Sequence, residues 1–381
     1  MMRRLIVTSC SVLLVPEQGS CRVGTDQDIL VEDGVIAWLG PAGSGPEAAG
    51  AEVVDGTGLI AVPGLVNAHT HGPMTLMRGA AEDVSVDAWF NERVWPMEVN
   101  LTPADIGLGA ELACAEMLLS GVTTFADHYF HAERIADVVV RTGIRADIAP
   151  TYFSSQGRAA LEESAGTAAA LHGTGDGRVT ASLGPHAPYT VADADLVRVA
   201  ELARDLGLRI HIHAAEHLEQ TESSLARRGI TPITVLERTG VLDAGALIAH
   251  GCGIVPDDLP TLAAHRDRTG VACCPKVYLK HALHPLTPVR SLLDAGVAVG
   301  AGTDGAAGHN TLDVWEAMRL VALTQKQAER DATWMTVSDT VRLATRGGAR
   351  ALGLGERIGA PADRGPAGAA GRDRGARARP P

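Results

Sequence analysis

An α/β fold, a (β/α)8 barrel behind a small β-domain, is predicted by three observations. Short apolar runs alternate with longer helical patterns over most of the 381 residues, and such alternation implies βα units and a parallel sheet. Eight such runs can be counted after residue 58. Their C-terminal ends carry histidines and acids, and the chemistry of such barrels lies at that rim.

Residues 1–58 read as a small β-domain. Leu5–Val7, Asp28–Val31, Val35–Leu39 and Ala51–Val54 are short strands separated by Gly, Pro and Asp. The opening Met1-Met2-Arg3-Arg4-Leu5-Ile6-Val7 superficially resembles a signal peptide. Thr8, Ser9 and Cys10 interrupt its apolar stretch and no small-x-small site follows cleanly, so a first strand is expected.

Residues 59–355 supply the barrel. Its strands are predicted at Leu59–Asn67, Val122–Asp127, Arg145–Thr151, Val179–Gly184, Arg209–His213, Ala246–His250, Gly270–Cys274 and Val297–Thr303. Pro103–Ser120, Asp193–Leu206 and Leu312–Ala328 are among the helices. Residues 356–381 are expected to form a disordered tail. From Gly359 they contain no Val, Ile, Leu or aromatic residue and cannot bury a core.

Composition narrows the partners. A net charge of −12 without long charge runs before the last segment argues against a nucleic-acid partner. No segment is long and apolar enough to span a membrane. The 6 cysteines are scattered and form no CxxC, which fits a reducing, cytoplasmic compartment better than a disulfide framework.

His69 and His71 carry the strongest chemical signal. Side chains at i and i+2 of a strand point into one space, and two converging imidazoles suit a divalent metal. The apolar run Leu59, Ile60, Ala61, Val62 is expected to feed them as a buried strand. Asp127 and His128 follow strand two, His186 strand four, and Glu216 lies just beyond His213 of strand five. His250 ends strand six and Asp304 strand eight. Any one of these could be a satisfied structural group; their gathering on one rim points to a site.

A catalytic zinc takes a few N/O ligands and keeps a position open for water. His69, His71 and His213 offer imidazoles. Asp304 can complete the set and accept a proton from the water, whose pKa zinc lowers to about 7. His250 is placed to orient that water and polarise the group under attack. Glu216 is the candidate general acid/base, protonating a ring nitrogen and then the leaving group; the other reading is a carboxylate that holds a histidine. No lysine near His186 could be carbamylated to bridge two metals, so one metal per chain is expected and His186 is a substrate contact. Asp127 and His128 stay open between a structural and a site role.

Together these residues resemble the amidohydrolase superfamily, within it the methylthioadenosine/S-adenosylhomocysteine deaminase group, which shades into chlorohydrolases. The motifs are PGLVNAHTHGPMTLMRG (Pro63–Gly79), VWPME (Val94–Glu98), SGVTTFAD (Ser120–Asp127), GPHAPYT (Gly184–Thr190), HIHAAE (His211–Glu216), AHG (Ala249–Gly251) and GTDGAA (Gly302–Ala307). The resemblance implies a distorted barrel with a β-sandwich portion, and one divalent metal per chain, zinc or iron, on His69, His71, His213 and Asp304. It implies Glu216 as proton shuttle and His250 beside the attacking water. It further implies Glu98 on ribose hydroxyls, a pairing that suits a carboxylate, and His186 against the nucleoside. Trp89 and Trp95 flank Glu98 and are candidates to wall the base. Arg145 and Arg158 are candidates for a substrate carboxylate.

Two segments depart from the pattern. Gly308-His309-Asn310 stands where Ser and Asn-Asn are usual. Cys274-Pro275-Lys276-Val277-Tyr278-Leu279-Lys280-His281 replaces Cys-Pro-x-Ser-Asn. The family pattern stops after Ile358-Gly359, with the C-terminal sandwich strands missing. A family variant with a basic tail is one reading; the expected one is a truncated or frame-shifted end. Such an end would leave residues 1–60 with an open edge and an exposed apolar face.

The expected activity is hydrolytic deamination of an adenine-type nucleoside by a metal-dependent enzyme whose partner is a small molecule; a homo-oligomer is compatible with the helical faces. The alternatives are attack on another N-heterocycle (guanine, pterin, triazine) and an inactive homologue.

Overall fold

The structure, a computed structural model, describes residues 3–360. The tail expected beyond Gly359 lies, from residue 361 on, outside the described residues. Two sheets organise the chain. The first contains β1 (Arg4–Leu14), β2 (Arg22–Glu32), β3 (Val35–Pro41), β4 (Glu52–Asp55) and β5 (Ile60–Ala61). Its order is β3-β2-β1-β4, with β5 also on β1. β1 runs well past Val7 because the polar Thr8-Ser9 pair is a bulge, not an end. Ser9 adopts φ +53°, and its amide donates to the Asp28 carboxylate at 2.8 Å. Cys10, Val12, Ile29 and Leu39 form a small core.

The expected strand Leu59–Asn67 is two strands. Pro63, which lacks an N–H, and Gly64 interrupt it. A Cβ on Gly64 would stand 2.0 Å from Thr123 Oγ1, so only glycine passes there. Ile60–Ala61 pairs with β1 of the small sheet, and the barrel strand starts at Leu65. Leu59, Ile60 and Val62 are therefore exposed rather than buried, as are Val53 and Val54.

The second sheet holds β6 (Leu65–Thr70), β7 (Val122–Tyr129), β8 (Arg145–Tyr152), β9 (Val179–Pro185), β10 (Arg209–Ala214), β11 (Ala246–His250), β12 (Thr269–Cys273) and β13 (Ala298–Ala301). Each pairs in parallel with the next, in sequence order. The ends approach where the amides of Thr303 and Asp304 donate to the His69 carbonyl at 3.2 and 3.0 Å. The Asn67 side chain bonds both the hydroxyl and the amide of Thr303 across the same seam. This is the eight-stranded barrel the alternation predicts.

Helices such as Pro103–Leu119, Asp193–Leu206 and Val314–Glu329 cover it. The first starts on a capping box between Thr102 and Asp105 with Pro103 next in line. A short helix, Gly348–Ala351, plugs the N-terminal mouth against Val66, Ala68, Leu247 and Ala272. With that end filled, the open rim is the C-terminal one. Over it folds the long excursion after β6, which includes a π-helical turn at Trp89–Val94 and the helix Trp95–Glu98. Among the described residues no helix is long and apolar enough to cross a membrane.

Candidate metal centre and active site

β6 delivers His69 from its interior and His71 one residue past its end, on the same face. β10 delivers His213 and β11 ends on His250. Asp304 follows β13. His250 and Asp304 both adopt positive φ, +77° and +61°. A histidine and an aspartate in that region carry local strain, which native structures retain chiefly where a side chain must be aimed.

The three imidazoles are oriented from behind. His71 Nδ1 donates to the His128 carbonyl at 2.6 Å. His213 Nδ1 donates to the His186 carbonyl at 2.9 Å. His69 Nδ1 meets His211 Nε2 at 2.8 Å. A carbonyl can only accept, so His71 and His213, when neutral, present bare Nε2 lone pairs forward. Those two atoms face each other at 3.4 Å. His71 Nε2 lies 3.4 Å and His69 Nε2 3.9 Å from Asp304 Oδ1. His69 Nε2 is buried with no protein partner.

Burial pushes His69 and His213 well below the usual imidazole range, with the neighbouring histidines adding to it. Facing lone pairs around an orphaned nitrogen and a carboxylate oxygen make a set that repels itself unless a cation joins it. Donors about 2.0–2.1 Å from a tetrahedral centre stand roughly 3.4 Å apart, the spacing seen. The donors fit a divalent ion. His69, His71 and Asp304 form one group with donor atoms within 4.8 Å, and His69, His213 and His250 another.

Glu216 faces the same pocket. Gln220 clamps it: the Gln220 amide donates to Oε2 at 3.1 Å and its carbonyl accepts from the Glu216 amide at 3.0 Å. Burial acts to raise the Glu216 carboxyl, but His250, His217, His186 and Gln220 outweigh it and hold it below the usual carboxylate range. Glu98, from the helix above the rim, is buried in the pocket wall. There burial pushes its carboxyl up, against the pull of the Tyr129 hydroxyl and His71. His186 lies under Phe153, rings 4.5 Å apart and nearly parallel. Its Nδ1 is bonded to Thr190 at 2.8 Å, and burial lowers its pKa to about 4.

Most expected site residues thus converge, and two do not. Arg145 opens β8 at the barrel's opposite end, where it donates to the Gly177 carbonyl. A strand's first residue cannot reach the C-terminal rim. Arg158 pairs with Asp195 at 3.2 Å and does not line the pocket. Neither arginine meets the pocket as expected of a substrate-carboxylate contact.

The open positions also resolve. Asp127 is buried and accepts from the Gly72 amide at 2.6 Å, fixing the turn after His71. His128 lines the pocket with its ring on Thr151. Trp89 lines the pocket, while Trp95 packs behind it on Phe90 and Phe153. Of the two departures, His309 is buried away from the pocket, whereas Val277, Tyr278 and His281 line it.

Sequence reasoning missed His211, Gln220, Tyr129 and Phe153. His211 carried a signal: it is two residues before His213 on one strand, hence on the same face.

Residues 60–362 match the model of the amidohydrolase family. The chain belongs to that family of hydrolases. It is 41% identical over 356 residues to a 5-methylthioadenosine/S-adenosylhomocysteine deaminase of Pelotomaculum thermopropionicum, covering 93% of this chain and 81% of that protein. An adenosine deaminase from Xanthomonas campestris, solved with bound zinc, superposes with a TM-score of 0.85 at 32% identity, over 93% of this chain and 81% of that one. An atrazine chlorohydrolase from Arthrobacter aurescens, complexed with zinc, gives 0.83 at 25% identity over 93% and 84%.

Proposed function

We propose that this protein is a hydrolytic deaminase of an adenine-type nucleoside, giving the hypoxanthine product and ammonia. One observation carries the reading. Three imidazoles, each anchored at Nδ1, converge with Asp304; His71, His213 and Asp304 line a pocket that also holds Glu216 and Glu98, with His69 fully buried beside them. The deaminases it resembles support the substrate class.

His69, His71, His213 and Asp304 would hold one divalent ion. Zinc is the choice that N/O donors at this spacing favour, and two of the similar structures contain it. Such an ion, when bound, supplies Lewis-acid activation of water at neutral pH. The protein's own groups handle the rest. Glu216 starts ionised, takes one proton from the attacking water and gives it to a purine ring nitrogen, where it stays; it then carries the second proton of that water to the departing amine, which leaves as ammonia. Gln220 keeps Glu216 aimed. His250, with its ring stacked 5.5 Å from that of His213, directs the water toward C6. In sum, the oxygen of water replaces the amino group and ammonia leaves. Glu98 accepts from the ribose hydroxyls, and His186 contacts the nucleoside.

A second reading, attack on a free heterocycle or a chloro-substituted triazine, is favoured by the chlorohydrolase likeness. The test is incubation of zinc-loaded protein, beside its Glu216→Gln variant, with adenosine, methylthioadenosine, guanine and a chlorotriazine. Ammonia release and the ultraviolet change are followed. Turnover of adenine nucleosides that the variant lacks supports the proposal. Turnover of guanine or the triazine alone moves the assignment to the second reading, and zinc retention without any turnover counts against both.

A further inference from the structure

We infer that the closed end of the barrel carries a binding site for a phosphate-type oxyanion, built from Arg145, Arg178 and Arg357. The site lies at the rim opposite the donor cluster and does not rest on the deaminase reading. The chain has 45 acidic and 33 basic residues, so cations gathered without acids need a physical reason.

Three segments bring the arginines together. Arg145 is the first residue of β8. Arg178 directly precedes β9, and its carbonyl accepts from the Ala146 amide at 3.0 Å. Arg357 follows the plug helix. Between them runs the loop 173–177, in which Gly173, Gly175, Asp176 and Gly177 all have positive φ. Its carbonyls face the arginines. Arg178 donates to the Gly175 carbonyl at 2.8 Å. Arg145 and Arg357 share the Gly177 carbonyl, at 3.4 and 3.5 Å. Two guanidiniums at the limit of hydrogen-bonding distance from one oxygen are held close together and poorly satisfied. A guanidinium has five N–H donors, and among the described residues each of these two side chains uses one.

Acids do not answer them. Among the described residues, Arg145 and Arg357 donate to that carbonyl and to no carboxylate. Arg178 meets Asp176 at 3.5 Å, but the Asp176 side chain is 96% exposed. Arg145 is half-buried. Burial lowers its pKa, and Arg357 and Arg178 press it the same way with no acid against them. Arg209 gives the contrast. It too opens a strand, yet it donates to the carbonyls of Ala246, Arg268 and Ala351, and Asp147 favours its charge. Like charges placed as in the trio repel unless an anion joins them. Guanidinium forks suit the several oxygens of a phosphate, and a dianion balances three cations better than one carboxylate does. Bound there, it ties the segment after the plug to β8 and β9.

The test is calorimetric titration of the full metal-loaded chain, at fixed ionic strength, with inorganic phosphate and with ribose 5-phosphate, which has no base to react. One site per chain is expected. Arg145→Met and Arg357→Met should each weaken it about tenfold or more, the scale of a lost charge-assisted hydrogen bond, with metal content unchanged. Arg357 is exposed, so its variant reads the site even where Arg145→Met fails to fold. Equal affinity for the two ligands supports a site for the oxyanion alone, and tighter binding of the ester supports one for a phosphorylated small molecule. Binding that survives both substitutions but is lost on metal removal would put the anion on the metal centre and overturn the inference. The absence of saturable binding by either ligand would overturn it as well.

Discussion

His211 Nε2 stands 2.8 Å from His69 Nδ1, and both rings are buried. Burial, with His71, His250 and Arg209 adding to it, lowers the His211 pKa to about 3, so His211 is a neutral imidazole with one bare nitrogen. With that nitrogen as Nε2, His69 keeps its proton on Nδ1 and directs a bare Nε2 into the donor cluster. The relationship is that of a residue behind a ligand fixing its tautomer.

We expect His211→Ala to weaken metal binding by about 10–100-fold, the usual loss when such a support is removed. His211→Asn, which keeps an acceptor, should recover part of it. Chelator competition measures both, and unchanged metal affinity in His211→Ala would contradict the positioning role.

Glu216→Gln should leave metal binding intact while lowering kcat by about 10²–10⁴, the range for general acid–base groups. Gln220→Leu removes the clamp and one of the influences holding Glu216 ionised. It should lower kcat by a smaller factor. Steady-state kinetics beside metal analysis separates the two effects, and a Gln220→Leu enzyme with wild-type kcat would show the clamp to be idle.

Glu98 is buried and has no cation partner in the pocket. If it accepts from ribose hydroxyls, Glu98→Gln should lose about 1.5–3 kcal/mol in kcat/KM for nucleosides, the scale of a charged hydrogen bond. Free-base substrates should be almost indifferent. Equal losses on a nucleoside and its free base would count against the ribose contact.

The barrel was legible because each strand is a short apolar run bounded by turns, and β/α alternation admits few topologies. Strand ends were then legible as site positions, which is why His69, His71, His213, His250 and Asp304 were found together. What failed had local causes. Leu59–Asn67 reads as one strand because apolar residues stand on both sides of Pro63-Gly64, yet that pair divides it between two sheets. Arg145 suits a substrate carboxylate by residue type but not by position: it begins its strand instead of ending it. Gln220 was invisible because its role depends on a loop turning Glu216 back toward the next helix. Phe153 and Tyr129 read as core until a pocket existed for them to line.

Asp147 offers a prediction in pH. Its carboxyl accepts from Ser182 at 2.7 Å and Thr180 at 3.0 Å inside the barrel. Burial raises its pKa despite those bonds. The folded state therefore binds more protons than the unfolded state between the ordinary carboxylate pKa and the raised one. Stability from this group is full below that window and is lost as pH rises through the folded pKa. Asp147→Asn lacks the titration. Its stability relative to wild type should climb with pH across the window and level off above it, whatever its offset at low pH. Urea unfolding of both proteins at a series of pH values reads this difference. A flat difference across the series would show that Asp147 does not titrate with folding.

The plug at the barrel's closed end sets the last expectation. Gly270, in β12, faces the helix Gly348–Ala351 so closely that a Cβ would stand 2.4 Å from Ala351 Cα and 2.6 Å from its carbonyl oxygen. Both are backbone atoms that no side-chain rotation can move aside. Arg209 also donates to that carbonyl, at 3.0 Å, so a shift of the plug disturbs a half-buried cation as well. Gly270→Ala should therefore destabilise by about 1–3 kcal/mol, as overpacking does. The donor cluster lies at the other rim, so metal stoichiometry should be kept in the folded variant. Chemical unfolding gives the first quantity and metal analysis the second. A variant as stable as wild type would mean that the plug moves freely and does not close that end of the barrel.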